Sequence, residues 1–190
     1  MIDQQIEIPT RDGRITTFIT DPECGGPFPV IIFYMDAPAI REELRDMARR
    51  LATSGYYVML PNLHYCAGVM ELGPLPADPE SPERKRMFGY MISINIPLVM
   101  EDTKALLAYA EGHGKTKAEL YFGCAETDIY APQEIINKVK EGMKGSNNEV
   151  EIYPGTHHGF AFPKRPVYDR DAAERHWERL LALYRRNLAT

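Results

Sequence analysis

The chain has little cysteine, no basic cluster and no long apolar run, and each shortage removes a class of function. Three cysteines in 190 residues, Cys24, Cys66 and Cys124, are too few and too widely spaced for a disulfide framework or paired CxxC zinc ligands, so reduced thiols are expected. The five histidines, His64, His113, His157, His158 and His176, lack metal-ligand spacing apart from the adjacent pair, whose side chains normally diverge; no metal and no cofactor are expected. The 22 basic residues are outnumbered by 27 acidic ones and lie scattered, without the block that would neutralise phosphates or anionic lipid. Neither nucleic acid nor membrane is therefore an expected partner. No apolar stretch is long enough to span a bilayer, and the opening MIDQQIEIPTRDG has neither the basic nor the apolar region of a leader, so a cytoplasmic protein is expected. The glycine fingerprints of dinucleotide and P-loop sites are missing too.

What is there has the balance of one globular domain, 1–190, with 44% hydrophobic and 26% charged residues. QQIEI (4–8) and ITTFIT (15–20) flank the turn signal Arg11-Asp12-Gly13 and predict an N-terminal antiparallel hairpin. PVIIFYM (29–35) is a continuous apolar run, as a strand buried on both faces requires. A helix over 40–54 ending at Gly55, a strand YYVML (56–60), an irregular proline-rich loop over 61–79 and helices over 81–94 and 97–111 follow, with Pro97 in a first turn. Strand AELYFG (118–123), helix 132–144, strand EVEIY (149–153) and helix 170–188 complete the alternation. The fold class predicted is α/β: a mostly parallel sheet with helices on both faces, behind the hairpin.

Ligands of such sheets gather at the carboxyl ends of the strands. Three ends carry chemistry: Asp36 after PVIIFYM, Asp128 after AELYFG, and His157-His158 after EVEIY. Asp36 can also be the cap of a helix starting near Pro38. Met87, Met91, Ile94 and Leu98 form a helical stripe expected in the core or in a lid. Tyr168, Trp177, Leu180, Leu181 and Tyr184 give the last helix an apolar face.

The segments PVIIFYMDAP, GYYVMLPNL, AELYFGCAETDIYAP and EVEIYPGTHHGFAF resemble, in order and spacing, the dienelactone hydrolase family of α/β-hydrolases. The strongest points are an acidic residue followed by proline four positions on (Asp128, Pro132) and the Gly-x-His-His-Gly-Phe turn. The resemblance implies hydrolysis of small carboxylic esters or lactones through a nucleophile, an Asp and a His. It matches Asp128 to the acid and His158 to the base; on the substrate-binding side it places Asp36 where relatives carry an acidic residue that interacts with the resting thiol, and the backbone of Ala37 where they supply an oxyanion donor.

The family's nucleophile stands on a G-x-C-x-G or G-x-S-x-G elbow, and this chain has no such pentapeptide. In relatives the elbow strand, its helix and a further strand lie between the segments matching 97–111 and 118–123. Gly112 to Lys117 leaves six residues for a unit that needs roughly thirty. The resemblance thus implies a truncated hydrolase with an internal deletion at about 112–117. Cys124 in FGCAE and Cys66 in HYCAG, near His64, are weak replacements; Cys24 reads as loop surface. Cys66 and Phe162 stand near the positions where relatives carry arginines for a substrate carboxylate, while Arg41, Lys164 and Arg165 are alternative cations. Loss of the elbow strand exposes the edge of 29–35. Either 118–123 moves in beside it or a second copy pairs there as a homodimer. A non-catalytic scaffold or binding module, natural or made by deletion, is the alternative to an enzyme. A flavodoxin-like binding domain is a third reading, against which the missing phosphate loop counts.

Overall fold

The computed structural model describes residues 1–110, 121–142 and 149–188, and the chain divides into two compact units, Met1–Lys115 and Thr116–Thr190. In the first unit β1 (Ile2–Pro9) and β2 (Arg14–Asp21) form the expected hairpin, with Ile8 opposite Ile15. β3 (Val30–Ile32), α1 (Glu42–Ala52) and β4 (Tyr57–Pro61) follow as a crossover unit whose strands pair in parallel. The sheet order is β1-β2-β4-β3. The run YYVML is apolar throughout because β4 is an inner strand, and all five residues of β4 are buried. β1 ends the sheet, and its Asp3, Gln4, Gln5 and Glu7 keep that edge polar.

Local signals place the helices. Gly55 takes a left-handed φ of 95° and donates its N–H to Ala52 O, closing α1. α2 (Pro82–Ser93) is capped by Ser81, whose hydroxyl accepts the Arg84 N–H, with Pro82 in the first turn. α3 (Ile96–Ala110) starts after Asn95, whose side-chain oxygen accepts the Leu98 N–H at 3.1 Å.

Two helices flank the first sheet. Leu106 and Ala110 of α3 join Ile8, Ile15, Ile19, Val30, Tyr57 and Met59 in one buried cluster. Arg45 and Arg49 of α1 lie over the ring of Phe18, at 6.0 and 5.5 Å. Phe18 and Ile19 are successive strand residues and point to opposite faces, so α1 and α3 cover opposite sides. Burial of each large aliphatic side chain in this cluster contributes about 1.5–3 kcal/mol. Met87 of the expected methionine stripe is in the core, whereas Met91 and Leu98 are largely exposed.

The second unit contains β5 (Tyr121–Thr127), α4 (Gln133–Gly142), β6 (Glu149–His157) and α5 (Arg170–Leu188), with β5 and β6 parallel. Ala125, Tyr153 and Phe160 are its small buried cluster. Asp169 caps α5 by accepting the Ala172 N–H at 2.9 Å. The buried residues of α5 are Ala173, Trp177 and Leu183; Leu180, Leu181 and Tyr184 of the expected face are only half-buried.

Three expectations are corrected. The α/β class and the N-terminal hairpin stand, but the first sheet is not mostly parallel: β1–β2 and β2–β4 are antiparallel and only β3–β4 is parallel. Parallel neighbours need a crossover, and α1 is the one that joins neighbouring strands of this sheet. Among the described residues the first unit holds a four-stranded sheet and the second a two-stranded one; residues 118–120 of the expected strand 118–123 lie outside them. The run 29–35 forms a strand only over Val30–Ile32, where among the described residues its ladder bonds go to β4 alone; Phe33 N–H adds one more, to Met59 O. Conversely β6 continues four residues past Tyr153, to His157. The segment 112–117 lies outside the described residues. No described helix is long and apolar enough to cross a membrane.

Candidate active site

Asp128 and His158 stand one residue beyond a directly paired couple, Thr127 and His157, at the carboxyl ends of β5 and β6. A register shift between Ala125 and Thr127 brings these ends level; without it the pairing frame would leave the two side chains at different heights. Glu126 reinforces the junction, its Oε2 accepting the Gly155 N–H at 2.9 Å.

The two side chains meet. Nδ1 of His158 lies 2.8 Å from Oδ2 of Asp128, while Oδ1 accepts the N–H groups of Tyr130 at 2.8 Å and Ala131 at 3.1 Å. That turn is the local reason for Asp at 128: a short carboxylate reaches its own backbone two and three residues on, just before Pro132, whose carbonyl accepts the Ile135 and Ile136 N–H groups of α4. Burial pushes the Asp128 carboxyl up, but the bonds from His158, Tyr130 and Ala131 outweigh it and hold the group below the ordinary carboxylate value. It is therefore ionised at neutral pH. With Nδ1–H donated to a carboxylate, the neutral imidazole presents Nε2 as an acceptor, and that nitrogen has no hydrogen-bond partner among the described residues. The Asp128 side chain is 9% exposed and the His158 side chain 49%. Tyr130, which the sequence did not single out, packs its ring edge-on against His158 at 4.8 Å.

Asp36 and Ala37 belong to the first unit. Asp36 does not cap a helix. α1 begins at Glu42 without any side-chain cap, and the Asp36 carboxylate binds Arg41 through both oxygens, at 2.6 and 3.2 Å. Arg41 also holds Glu43 at 2.8 Å. The cation considered for a substrate carboxylate is thus committed to two internal carboxylates. The Ala37 carbonyl faces Nε2 of His64 at 3.5 Å.

The cysteines make no activated pair among the described residues. Cys124 is half-buried, its sulfur nearest hydrogen-bond partner the Phe122 carbonyl at 4.0 Å, and burial pushes its thiol up. A raised thiol is a poor nucleophile. Cys66 and Cys24 are exposed. The His64 ring is turned to Ala37 O and to Tyr90, at 5.6 Å, and no Cys66–His64 couple is formed among the described residues. Arg165 stacks on Phe162 at 4.7 Å. No group of three or more His, Cys, Asp or Glu side chains is arranged to hold a metal ion among the described residues.

Comparison with known proteins decides the lineage. The profile of the Dienelactone hydrolase family matches residues 15–118 and 108–188. The chain belongs to the dienelactone hydrolase family. A protein of Methylorubrum extorquens, provisionally named a carboxymethylenebutenolidase, is 30% identical over 117 residues, covering 60% of this chain and 37% of its own length. This chain therefore spans little over a third of that relative. An Escherichia coli protein with the same provisional name is 23% identical over 229 aligned positions, covering 94% of this chain and 84% of its own. Among solved structures, a provisionally named dienelactone hydrolase from Klebsiella pneumoniae superposes with a TM-score of 0.79 at 18% identity, over 95% of this chain and 97% of that one. A predicted hydrolase from Thermoplasma acidophilum gives 0.55 at 13%, over 98% and 99%. At these identities the structural likeness shows the α/β-hydrolase fold.

Proposed function

We propose that this dienelactone hydrolase family member keeps the acid–base half of an ester- or lactone-cleaving site, His158 oriented by Asp128, and has lost the nucleophile half, so that it does not pass through an acyl-enzyme. The observation that carries the reading is the 2.8 Å bond from His158 Nδ1 to Asp128 Oδ2 with Nε2 left open. An imidazole in that tautomer can take a proton from a hydroxyl, a thiol or water.

Loss of the elbow is supported by three features. No G-x-S-x-G or G-x-C-x-G occurs in the chain. The family profile is met in two stretches that overlap at 108–118 rather than in one. The Escherichia coli relative aligns over 229 positions, whereas 94% of 190 residues is about 179, so about fifty of its positions have no counterpart here. A strand-helix-strand unit of roughly thirty residues or more fits in that gap.

On this reading His158 activates water directly. Nε2 accepts the proton as the water oxygen bonds to the ester carbonyl carbon; the tetrahedral intermediate then expels the alcohol or phenol, which regains the proton. General-base help of this kind gives about 10²–10⁴-fold, far short of covalent catalysis, and serves only activated esters or strained lactones. A homodimer joined at a sheet edge belongs to the same proposal, because among the described residues β3 pairs with β4 alone; sedimentation velocity across a concentration series tests it.

The deciding experiment incubates the protein with p-nitrophenyl acetate and follows both phenolate release and intact mass. Slow turnover without an acetyl adduct, falling to the buffer rate in His158→Ala, is the expected result. An acetyl group on Cys66 or Cys124 would overturn the lost-nucleophile reading. A rate indifferent to His158→Ala would leave a non-catalytic binding module.

A further inference from the structure

The first unit carries a cavity of about 350 Å³ at the carboxyl ends of β3 and β4, where Met35–Ala37 and Leu63–His64 leave the sheet and α2 and α3 form the wall. That is the place where sheets of this class take ligands, and the volume lies in the range of small-molecule sites. All its lining residues belong to Met1–Lys115, so the cavity stands without any reference to the acid–base pair.

Its chemistry is one-sided. Eight of the eleven described lining residues are apolar, Met35, Met91 and Met100 among them, and methionine side chains adapt to ligands of differing shape. No lysine or arginine is among its described lining residues. The one charged group among them, Asp36, is neutralised by Arg41 through both oxygens, and that guanidinium also serves Glu43. Asn95 spends its side-chain oxygen on the cap of α3. His64 remains. It is 3% exposed, and its Nε2 faces Ala37 O at 3.5 Å, at the outer limit of a hydrogen bond. Burial holds its pKa below the ordinary histidine value, so the imidazole in this wall is neutral.

We infer that this cavity binds an uncharged apolar molecule, the acyl chain or aryl group of an ester or alcohol, with one oxygen turned to His64, and that it rejects carboxylates. A carboxylate entering it loses its water and meets no lysine or arginine among the described lining residues; an apolar chain gives up little hydration and gains dispersion contacts with three methionines. The inference goes beyond the acid–base reading and survives its failure.

The full chain, labelled with ¹³C at the methionine methyl groups, is titrated with methyl octanoate and separately with octanoate at neutral pH. Assignment comes from Met35→Leu, Met91→Leu and Met100→Leu. The ester is expected to shift the methyl signals of Met35, Met91 and Met100, and octanoate to need at least about tenfold higher concentration. Met91→Lys, at a position already 42% exposed, puts a cation at the rim and is expected to reverse the order in favour of octanoate. Binding is read from the methyl shifts and not from hydrolysis, which separates this test from that of the acid–base pair. Equal or tighter binding of octanoate by the native chain would overturn the inference, as would an ester that shifts only other methionines. So would methyl signals that respond to protein concentration and not to ester, since a second copy would then fill the cavity.

Discussion

Replacing Asp128 by asparagine keeps the shape of the side chain and removes its charge. In the native site Oδ2 takes the His158 Nδ1–H at 2.8 Å and Oδ1 takes the N–H groups of Tyr130 and Ala131. Asparagine retains an amide oxygen for the two backbone donors but turns its NH₂ towards Nδ1. That nitrogen must then become the acceptor, with the proton moved to Nε2, or the pair must separate. A charge-assisted hydrogen bond contributes about 1.5–3 kcal/mol, and the half exposure of His158 places this one near or below the lower end. A net loss of about 1–2 kcal/mol near pH 7 is expected for Asp128→Asn.

The pH dependence has a definite sign. Although burial alone would raise it, the Asp128 carboxyl lies below 3.8 in the fold because His158 and the two amides bind its ionised form. A carboxyl depressed on folding contributes stability that is complete above its unfolded value and is lost as pH falls through its folded value. The gap between native and Asp128→Asn midpoints in urea should therefore be open near pH 7 and shrink progressively as the pH falls below the ordinary carboxylate range. Nitrogen-15 shifts of His158 give an independent reading: Nδ1–H in the native neutral ring, Nε2–H in the variant. Equal midpoints near pH 7, or a gap that persists undiminished in acid, would refute this account of the pair.

Other outcomes follow from the same physics. Asp102 is buried and accepts the Tyr65 hydroxyl at 2.9 Å, and burial together with Asp12 raises its carboxyl despite that bond. Ionisation here opposes folding as pH rises, so Asp102→Asn, which keeps an acceptor for Tyr65, should match or exceed the native urea midpoint at neutral pH; a lower midpoint contradicts this. A Cβ at Gly123 would lie 2.6 Å from Nδ1 of His176, whose ring is packed among Tyr121, Tyr153 and Phe160. Gly123→Ala should cost about 1–3 kcal/mol, with at least half recovered when His176→Ala is added in a double-mutant cycle. Arg41→Ala takes from Glu43, 7% exposed, and from Asp36 the guanidinium that both share; a loss of about 2 kcal/mol is expected by thermal or urea unfolding, with Arg41→Lys restoring only part because it cannot hold Asp36 through two nitrogens.

Short-range order was largely legible before any coordinates. The hairpin around Arg11-Asp12-Gly13, the stop at Gly55, the Ser81-Pro82 start and the apolar run of β4 each rest on interactions within a few residues, which a linear chain displays directly. The meeting of Asp128 and His158 was anticipated from the order of family segments, not from periodicity. Partner choice was not legible. That Val30–Ile32 alone pairs, that β5 and β6 form their own sheet, and that the bulge at Ala125/Thr127 levels Asp128 with His158 depend on strands distant in sequence. Asp36 binding Arg41 rather than a helix end, and His64 turning to Ala37 rather than to Cys66, are likewise decided by which neutral or charged neighbour is at hand once water has been excluded. The residues carry their chemistry in the chain; long-range packing selects which of their possible partners each one meets.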